Sequence, residues 1–458
     1  MLDSHGKKMA MQQALPGGTD AGAGSPSGQG PEPQADGLGA VRMRKADRAQ
    51  VGMHFCSIDE LVADDHQVRV VWDAVCHMDL SAFMQPIAVR QFTTGRSAND
   101  VAVMVALWLW AAVNNVARGR ELQRRCERDL TFKWLCGGLS MNYHTLNDFR
   151  VQHAAALDAL FTATLGRLLH KGLVKIDRIS QDGLRVRASA GSGSFRSRPR
   201  LEQFLAEAQA HLEELKKQAE SPENDNADQQ HQARQQTLAQ DRLRRVQEAL
   251  AEVEKVEQSK AKQHGAKAER AARASTTDPQ ARNMKMPNGG FNPAYNVQLA
   301  SDPVSRAITG VMVSNSGADA TLSEPMRQQV EQRSGQKVSE HLLDGGYVSH
   351  EAIDRAVEQK VELYMPVPPP NKNAKEQDRY APRENDGEAA SAWRQRMNTE
   401  AGKNKYKDRA ATSETINADL RTYRAMAPLS VRGIVKATCV ALWSALAYNV
   451  MHFASALT

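Results

Sequence analysis

The sequence predicts a mixed α+β protein: an all-α N-terminal part, then a mixed sheet flanked by helices, with a coiled-coil helical insertion dividing the sheet region. Three patterns predict it. From about Phe55 to Leu173 apolar residues recur with a helical period, as in Val101, Met104, Val105, Trp108 and Leu109. After Val174 the period drops to two: Leu184, Val186 and Ala188 alternate with polar neighbours, as a half-buried strand requires. Between 199 and 273 the chain is highly charged yet keeps a/d seams, Leu201, Leu205, Ala208, Leu212 and Leu215 in one helix and Leu243, Val246, Leu250 and Val253 in a second.

Taken in order, residues 1–45 are rich in Gly, Pro, Ser, Ala and Gln and show no apolar period. They cannot bury enough surface to offset ordering entropy, and read as a disordered tail. The helical N-terminal domain follows over 50–173, and its longest apolar run, 101–113, is too short to span a bilayer. The second domain, 174–458, opens with a strand at 179–188. Its insertion, 199–273, breaks at Ser221-Pro222 and the polar Glu223-Asn224-Asp225, so the two seamed helices are expected to fold back as an antiparallel hairpin. Strands return at 295–300 and 307–313, joined by the turn chemistry of Ser301-Asp302-Pro303. Then come a helix at 322–332, a short strand at 338–343, and a helix N-capped by Ser349 that runs to about Gln359. A strand at 361–367, a polar loop to about 390, a helix over 391–423 and a final apolar helix over 431–453 complete the chain.

Among 458 residues, 59 Lys and Arg face 53 Asp and Glu, a net charge of +6. An anionic partner fits that balance, although charge alone does not name it. With 41% apolar and 24% charged residues, collagen-like and wholly disordered chains are excluded. The cysteines, Cys56, Cys76, Cys126, Cys136 and Cys439, are scattered and lack CxxC spacing, which argues against a zinc site or a disulfide framework and for a reducing cytoplasm. The chain does not open on a basic segment followed by an apolar one, so secretion is not expected.

Two aspartates are expected at strand ends with glycine behind them, Asp182 in SQDGLR and Asp344 in LLDGGYVS. Glycine lets the backbone turn sharply and leaves the carboxylate facing an open site. Taken singly, each Asp-Gly reads equally as turn punctuation. Farther on, a helix over YKDRAATSETINADLR puts Glu414, Asn417, Ala418 and Arg421 on one face and turns Ile416, Leu420 and Tyr423 toward the sheet. In the N-terminal domain the segments 118–128 and 143–153 carry Arg124, Arg125, His144, Asn147 and Arg150 around a Gly137-Gly138 turn. They read as a helix-turn-helix that reaches DNA, or as a bundle whose charges are solvated. Arg185, Arg187 and Lys285 are further candidates for phosphate contacts.

The conjunction is more specific than its members. ISQDGLRVRASA, LLDGGYVSHEAI and MNTEAGKNKYKDRAATSETINADLR, preceded by RELQRRCERDLTFKWLCGG and NYHTLNDFR and followed by VRGIVKATCVALWSALAYNVM, resemble in matching order the bacterial insertion-sequence transposases that join a helical N-terminal domain to a split ribonuclease-H-like DDE domain. The resemblance covers about residues 50–453. It implies that Asp182, Asp344 and Glu414 form a catalytic triad binding two Mg²⁺ or Mn²⁺ ions, and that Tyr406, Arg409 and Arg421 match the Tyr, Arg and basic positions around the Glu. The wider group places three residues between Arg and Glu and usually a Lys seven after the Glu; here four intervene and Arg421 takes the Lys place. Phosphodiester chemistry of this kind uses paired divalent cations, and hard cations take carboxylate oxygens. The resemblance further implies cleavage and strand transfer on double-stranded DNA at the ends of the element, a homodimer, no membrane, and a place at the nucleoid in the cytoplasm. A nuclease that cuts without joining, and a decayed copy that binds without cutting, stay open as alternatives.

Overall fold

The computed structural model of the chain describes residue 49 and residues 55–87, 97–219, 226–264, 271–370 and 378–458. The tail expected at 1–45 and the break expected at 221–225 lie outside the described residues. The helical part contains α1 (Gln67–Cys76), α2 (Ser81–Met84), α3 (Val101–Val113), α4 (Gly119–Arg128), α5 (Leu130–Cys136), α6 (Tyr143–Gln152) and α7 (Ala154–His170). Short polar side chains start several of them: Asp100 accepts from the Ala102 N–H at 2.7 Å, Asp129 from Thr131 at 3.0 Å and Asn142 from His144 at 2.8 Å. α5 stands between the two segments expected to form a two-helix motif, and it ends at Gly137, whose φ of 55° lies in the left-handed region. α3 is apolar all round, which suits a helix covered on every side.

The sheet is built from β1 (Arg178–Arg187), β4 (Arg282–Lys285), β5 (Phe291–Ser301), β6 (Ile308–Ser314), β7 (Glu340–Leu342) and β8 (Glu362–Tyr364). Its order is β4-β5-β1-β7-β8, with β6 also on β5; β1 runs antiparallel to β5 and parallel to β7, and β7 parallel to β8. This is a ribonuclease-H-like mixed sheet. A separate two-stranded ribbon, β2 (Phe195–Arg196) with β3 (Ala274–Ser275), forms the base of an arm made of α8 (Arg198–Ala219) and α9 (Asn226–His264). The expected seams are the contact: Leu201, Ala208, Leu212, Leu215, Val246 and Val253 are buried. At the base Leu201, Ala249, Val253, Ala272 and Ala274 form their own cluster, and Glu252 of α9 pairs with Arg282 of β4.

The remaining helices are α10 (Ser323–Ser334), α11 (His350–Glu358), α12 (Glu388–Asn398), α13 (Glu400–Tyr423), α14 (Ile434–His452) and α15 (Ala454–Leu457). Ser349 caps α11 as expected, accepting from Ala352 at 3.2 Å. The single helix expected over 391–423 is two, because Thr399 leaves the helical conformation and its hydroxyl accepts from the Gly402 N–H at 3.0 Å, starting α13. α14 is long and apolar enough to cross a membrane, but it packs on β6 and against α3, α6 and α7 and is mostly buried. One core therefore runs from the N-terminal helices through α14 into the sheet. Trp443 of α14 donates its Nε1–H to the Arg150 carbonyl at 3.1 Å, and Trp108 of α3 donates to the Leu146 carbonyl at 2.9 Å.

Candidate active site

Asp182 sits within β1 and not at its end, which corrects the sequence reading. Its backbone pairs with Leu299 of β5, and the strand continues to Arg187. The next residue explains why no turn forms. A Cβ on Gly183 would stand 2.6 Å from Gln298 Nε2 and 2.8 Å from Asn296 Oδ1, so this glycine admits two cross-strand side chains and does not bend the chain. What opens the site is the neighbouring strand. β7 pairs with β1 only as far as Ser180 opposite Leu342, and Asp182 and Asp344 each lie two residues beyond that pair, level with each other on parallel strands. Asp344 then starts a 3₁₀ turn over Gly345–Tyr347, its Oδ1 accepting from the Gly346 N–H at 2.7 Å.

α13 crosses β1 and completes the site. Ser413 and Ser180 are buried against each other with their hydroxyls 2.9 Å apart. Asn417 Nδ2 donates to Asp182 Oδ2 at 2.8 Å, and Gly183 N–H donates to Asp182 Oδ1 at 2.9 Å. Arg409 Nη2 lies 3.0 Å from Asp182 Oδ1 and 3.7 Å from Asp344 Oδ2, so one guanidinium is shared by the two carboxylates. The side chains of Asp182 and Arg409 are 18% and 11% exposed, whereas that of Asp344 is 38% exposed and faces outward. Burial pushes the Asp182 carboxyl above the usual range; Arg409 opposes the rise, and Asp344 and Asp319 add to it. Tyr406 is also pushed up by burial and stays protonated at neutral pH.

Glu414 lies on α13 one helical turn before Asn417, exposed, and makes no ion pair among the described residues. The face reading of this helix holds for Ile416 and Leu420, which are buried, but not for Tyr423, which is 61% exposed because it lies at the end of α13. Behind the acids lies a buried polar layer that the sequence reading missed. Asp319 Oδ1 accepts from Asn296 Nδ2 at 2.6 Å and Gln298 Nε2 at 2.9 Å, and Tyr347 donates its hydroxyl to Gln298 Oε1. The signal was available in YNVQLA, where polar residues alternate on a strand buried on both faces. Asp319, in the loop before α10, carried no such pattern.

The basic candidates divide. Arg187 and Arg421 are exposed and line one cavity of about 410 Å³ with Arg185, at the end of β1. Arg185 is tied into the fold through the carbonyls of Lys285 at 3.2 Å and Gly317 at 3.0 Å, while the Lys285 side chain is exposed at the edge of the sheet. In the helical part Arg124 pairs with Glu121, and Arg125 with Glu121 and Asp129. Asn147 packs against Gly119, and His144 is exposed, its ring tilted against that of Tyr143 with centroids 3.9 Å apart. Arg150 is 5% exposed, so the structure removes it from the DNA-facing set. Its guanidinium lies 4.6 Å over Trp108 and donates to the Ala117 carbonyl at 2.6 Å and to Ser430 Oγ at 3.1 Å, and burial lowers its pKa to about 10.

Among the described residues no three His, Cys, Asp or Glu side chains converge as a ready-made metal cage. The pair Asp182 and Asp344 nevertheless fits a cation, since a guanidinium already occupies the place between them. Asn417 Oδ1, a buried oxygen without a partner beside Asp182, is a further hard donor of the kind such ions take. Residues 56–152 match the transposase domain family DUF772, and residues 259–450 match the transposase DDE domain family. No curated protein and no solved structure matches the chain. The first match covers α1 to α6 and the second covers Asp344, Arg409, Glu414 and most of α14, and with the ribonuclease-H-like sheet that joins them they make this chain an insertion-sequence DDE transposase, an enzyme that acts on DNA.

Proposed function

We propose that the enzyme cuts and joins the ends of its own insertion sequence, with Asp182, Asp344 and Glu414 holding two divalent cations, Mg²⁺ or Mn²⁺. The observation that carries this reading is the single guanidinium shared by Asp182 and Asp344. Two carboxylates that share one cation, the less exposed of them raised in pKa by burial, have a strong demand for positive charge. When bound, a pair of divalent cations activates an oxygen nucleophile and stabilises the leaving oxygen of a phosphodiester.

The side chains divide the rest of the work. Asn417 and the Gly183 N–H fix the Asp182 carboxylate, and the Gly346 N–H fixes Asp344, so both acids are oriented before substrate arrives. Arg409 holds the carboxylates together in the DNA-free protein and turns its fork to a phosphate oxygen when one enters. Tyr406, protonated, donates a hydrogen bond at the same place. Glu414, exposed and one turn from Asn417, closes on the site with the substrate. Double-stranded DNA is the partner, gripped by Arg187, Arg421 and Lys285 beside the sheet and by the exposed His144 face of the helical part. Two ends must be held together for joining, and a homodimer paired through the α8–α9 arm supplies that geometry.

The test is cleavage of a labelled duplex carrying the element end, with Asp182→Asn, Asp344→Asn and Glu414→Gln beside wild type. Each variant removes a ligand charge without changing shape, so cleavage is expected to vanish while end binding stays close to wild type. Retained cleavage in any one variant takes that residue out of the triad.

A further inference from the structure

The geometry points to the segment 427–433, between α13 and α14, as the saddle across which the flanking duplex lies. This inference rests on the reading above and adds where the DNA runs. The segment is held by three parts of the molecule. The Leu429 N–H donates to the Arg187 carbonyl at 3.0 Å, at the end of the catalytic strand. Ser430 Oγ donates to the Ala117 carbonyl at 2.7 Å, one residue before Arg118 and the start of α4. Gly433 N–H donates to Asp278 Oδ1 at 3.1 Å, in the stretch that joins the arm to the sheet.

A basic cavity opens at each end of the segment. Ala427 and Pro428 wall the cavity of about 410 Å³ that holds Arg187 and Arg421. Arg432 and Gly433 wall a second one of about 600 Å³, where Lys436 faces Arg245 of α9. None of Arg118, Arg187, Arg245, Arg421, Arg432 and Lys436 makes an ion pair among the described residues. The acids around the second cavity are already engaged. Asp241 and Glu248 are held by Arg244, Glu252 by Arg282 and Lys255, and Asp278 by Tyr295 and Gly433. The charge left facing outward is positive at both ends, and the Gly433 and Ile434 amides at the start of α14 are already taken by Asp278 and Gln280, so side chains make the contacts.

The lengths suit a duplex. A seven-residue segment reaches at most about 25 Å, which is about seven base pairs at 3.4 Å each. One strand's phosphates can therefore meet both cavities within a single turn. Arg187 lies five residues beyond Asp182 on β1, about 17 Å along the strand, a rise of about five base pairs. Arg118 beside Ala117 meets the same duplex from the helical part.

The experiment uses full-length protein, a fluorescein-labelled duplex carrying the element end, and chelator in place of divalent metal, with anisotropy read between about 50 and 250 mM salt. Each released cation contact lowers the slope of log affinity against log salt by about 0.9. Arg187→Gln/Arg421→Gln and Arg432→Gln/Lys436→Gln are each expected to lower it by about 1.8. A control, Arg242→Gln/Arg355→Gln, removes two arginines that are already ion-paired and is expected to keep the wild-type slope. Lys436→Gln alone, at an exposed site, gives about half the effect of its double variant and guards against a folding loss. An unchanged slope in either double variant overturns the path, because one cavity would then suffice. If that happens while wild type still cuts the same duplex, the path fails and the transposase reading stands; a wild type that does not bind the duplex at all sinks both.

Discussion

Arg409→Gln tests the reading of the acid pair most directly. At 3.0 Å and an effective dielectric near 20, Arg409 and Asp182 attract by roughly 5.5 kcal/mol before desolvation. Removing one partner of a buried pair costs about 3 to 5 kcal/mol, and the remaining exposure of both groups puts the expected loss near 3 kcal/mol at pH 8. The sign of the pH dependence follows from burial. The folded-state pKa of Asp182 lies above its unfolded value, so its contribution favours the folded state fully at low pH and is lost as pH rises through the folded value. Arg409 opposes that loss. Without it the rise in pKa is larger and stability falls more steeply toward alkaline pH, so the variant approaches wild type as pH falls and Asp182 takes up its proton. Urea unfolding at pH 4, 6 and 8 measures this, and millimolar Mn²⁺ at pH 8 is expected to return part of the lost stability to the variant. An equal loss at all three pH values would refute the electrostatic role and leave Arg409 as packing.

Asp278→Asn tests the buried carboxyl beside the saddle. Burial raises its pKa, so wild type gives up stability as pH rises, whereas Asn keeps an acceptor for Tyr295 and Gly433 and carries no charge. Thermal melts are expected to show the variant less sensitive to pH above the usual carboxylate range and no less stable than wild type at pH 8; a variant clearly weaker there shows that the charge is needed. For the arm, replacing residues 200–272 by a short Gly/Ser linker removes its base cluster and the Glu252 partner of Arg282 together. The shortened protein is expected to melt cooperatively and cut single ends but to lose joining of paired ends, measured with two differently labelled duplexes. Joining at the parent rate excludes an assembly role, and aggregation makes the arm part of the core.

Much of this architecture is legible from local chemistry. The seam residues of the arm, the cap at Ser349 and the 295–313 hairpin each follow from side chains close in sequence, and each lies where those side chains place it. Asp344 was legible for the same reason: the strand before it ends two residues earlier. Asp182 was legible as a residue but not as a position, because the feature that opens the site is the end of a different strand. Gly183 looks like a turn signal until Gln298 and Asn296 are seen across from it. Arg150 was misread because charge pattern alone cannot anticipate three partners, Trp108, Ala117 and Ser430, brought from three parts of the chain. Asp319 and the polar layer around it escaped for a related reason: their meaning is a network, and no single segment holds it.

The misreading of Arg150 bears on how binding and cutting are joined. Buried under the saddle, it donates to Ser430 on one side and Ala117 on the other, and Trp443 of α14 donates to its carbonyl. The helical part and the sheet therefore cannot turn against each other at this point without exposing an unpaired buried guanidinium, which costs several kcal/mol. The Leu429 to Arg187 hydrogen bond fixes the same segment to the strand of Asp182. A duplex seated on 427–433 is thus held in a fixed relation to the carboxylates by the protein's own core. On the path proposed for the duplex, the distance from saddle to acids is set along β1, and selection of the cut position needs no separate hinge or sensor.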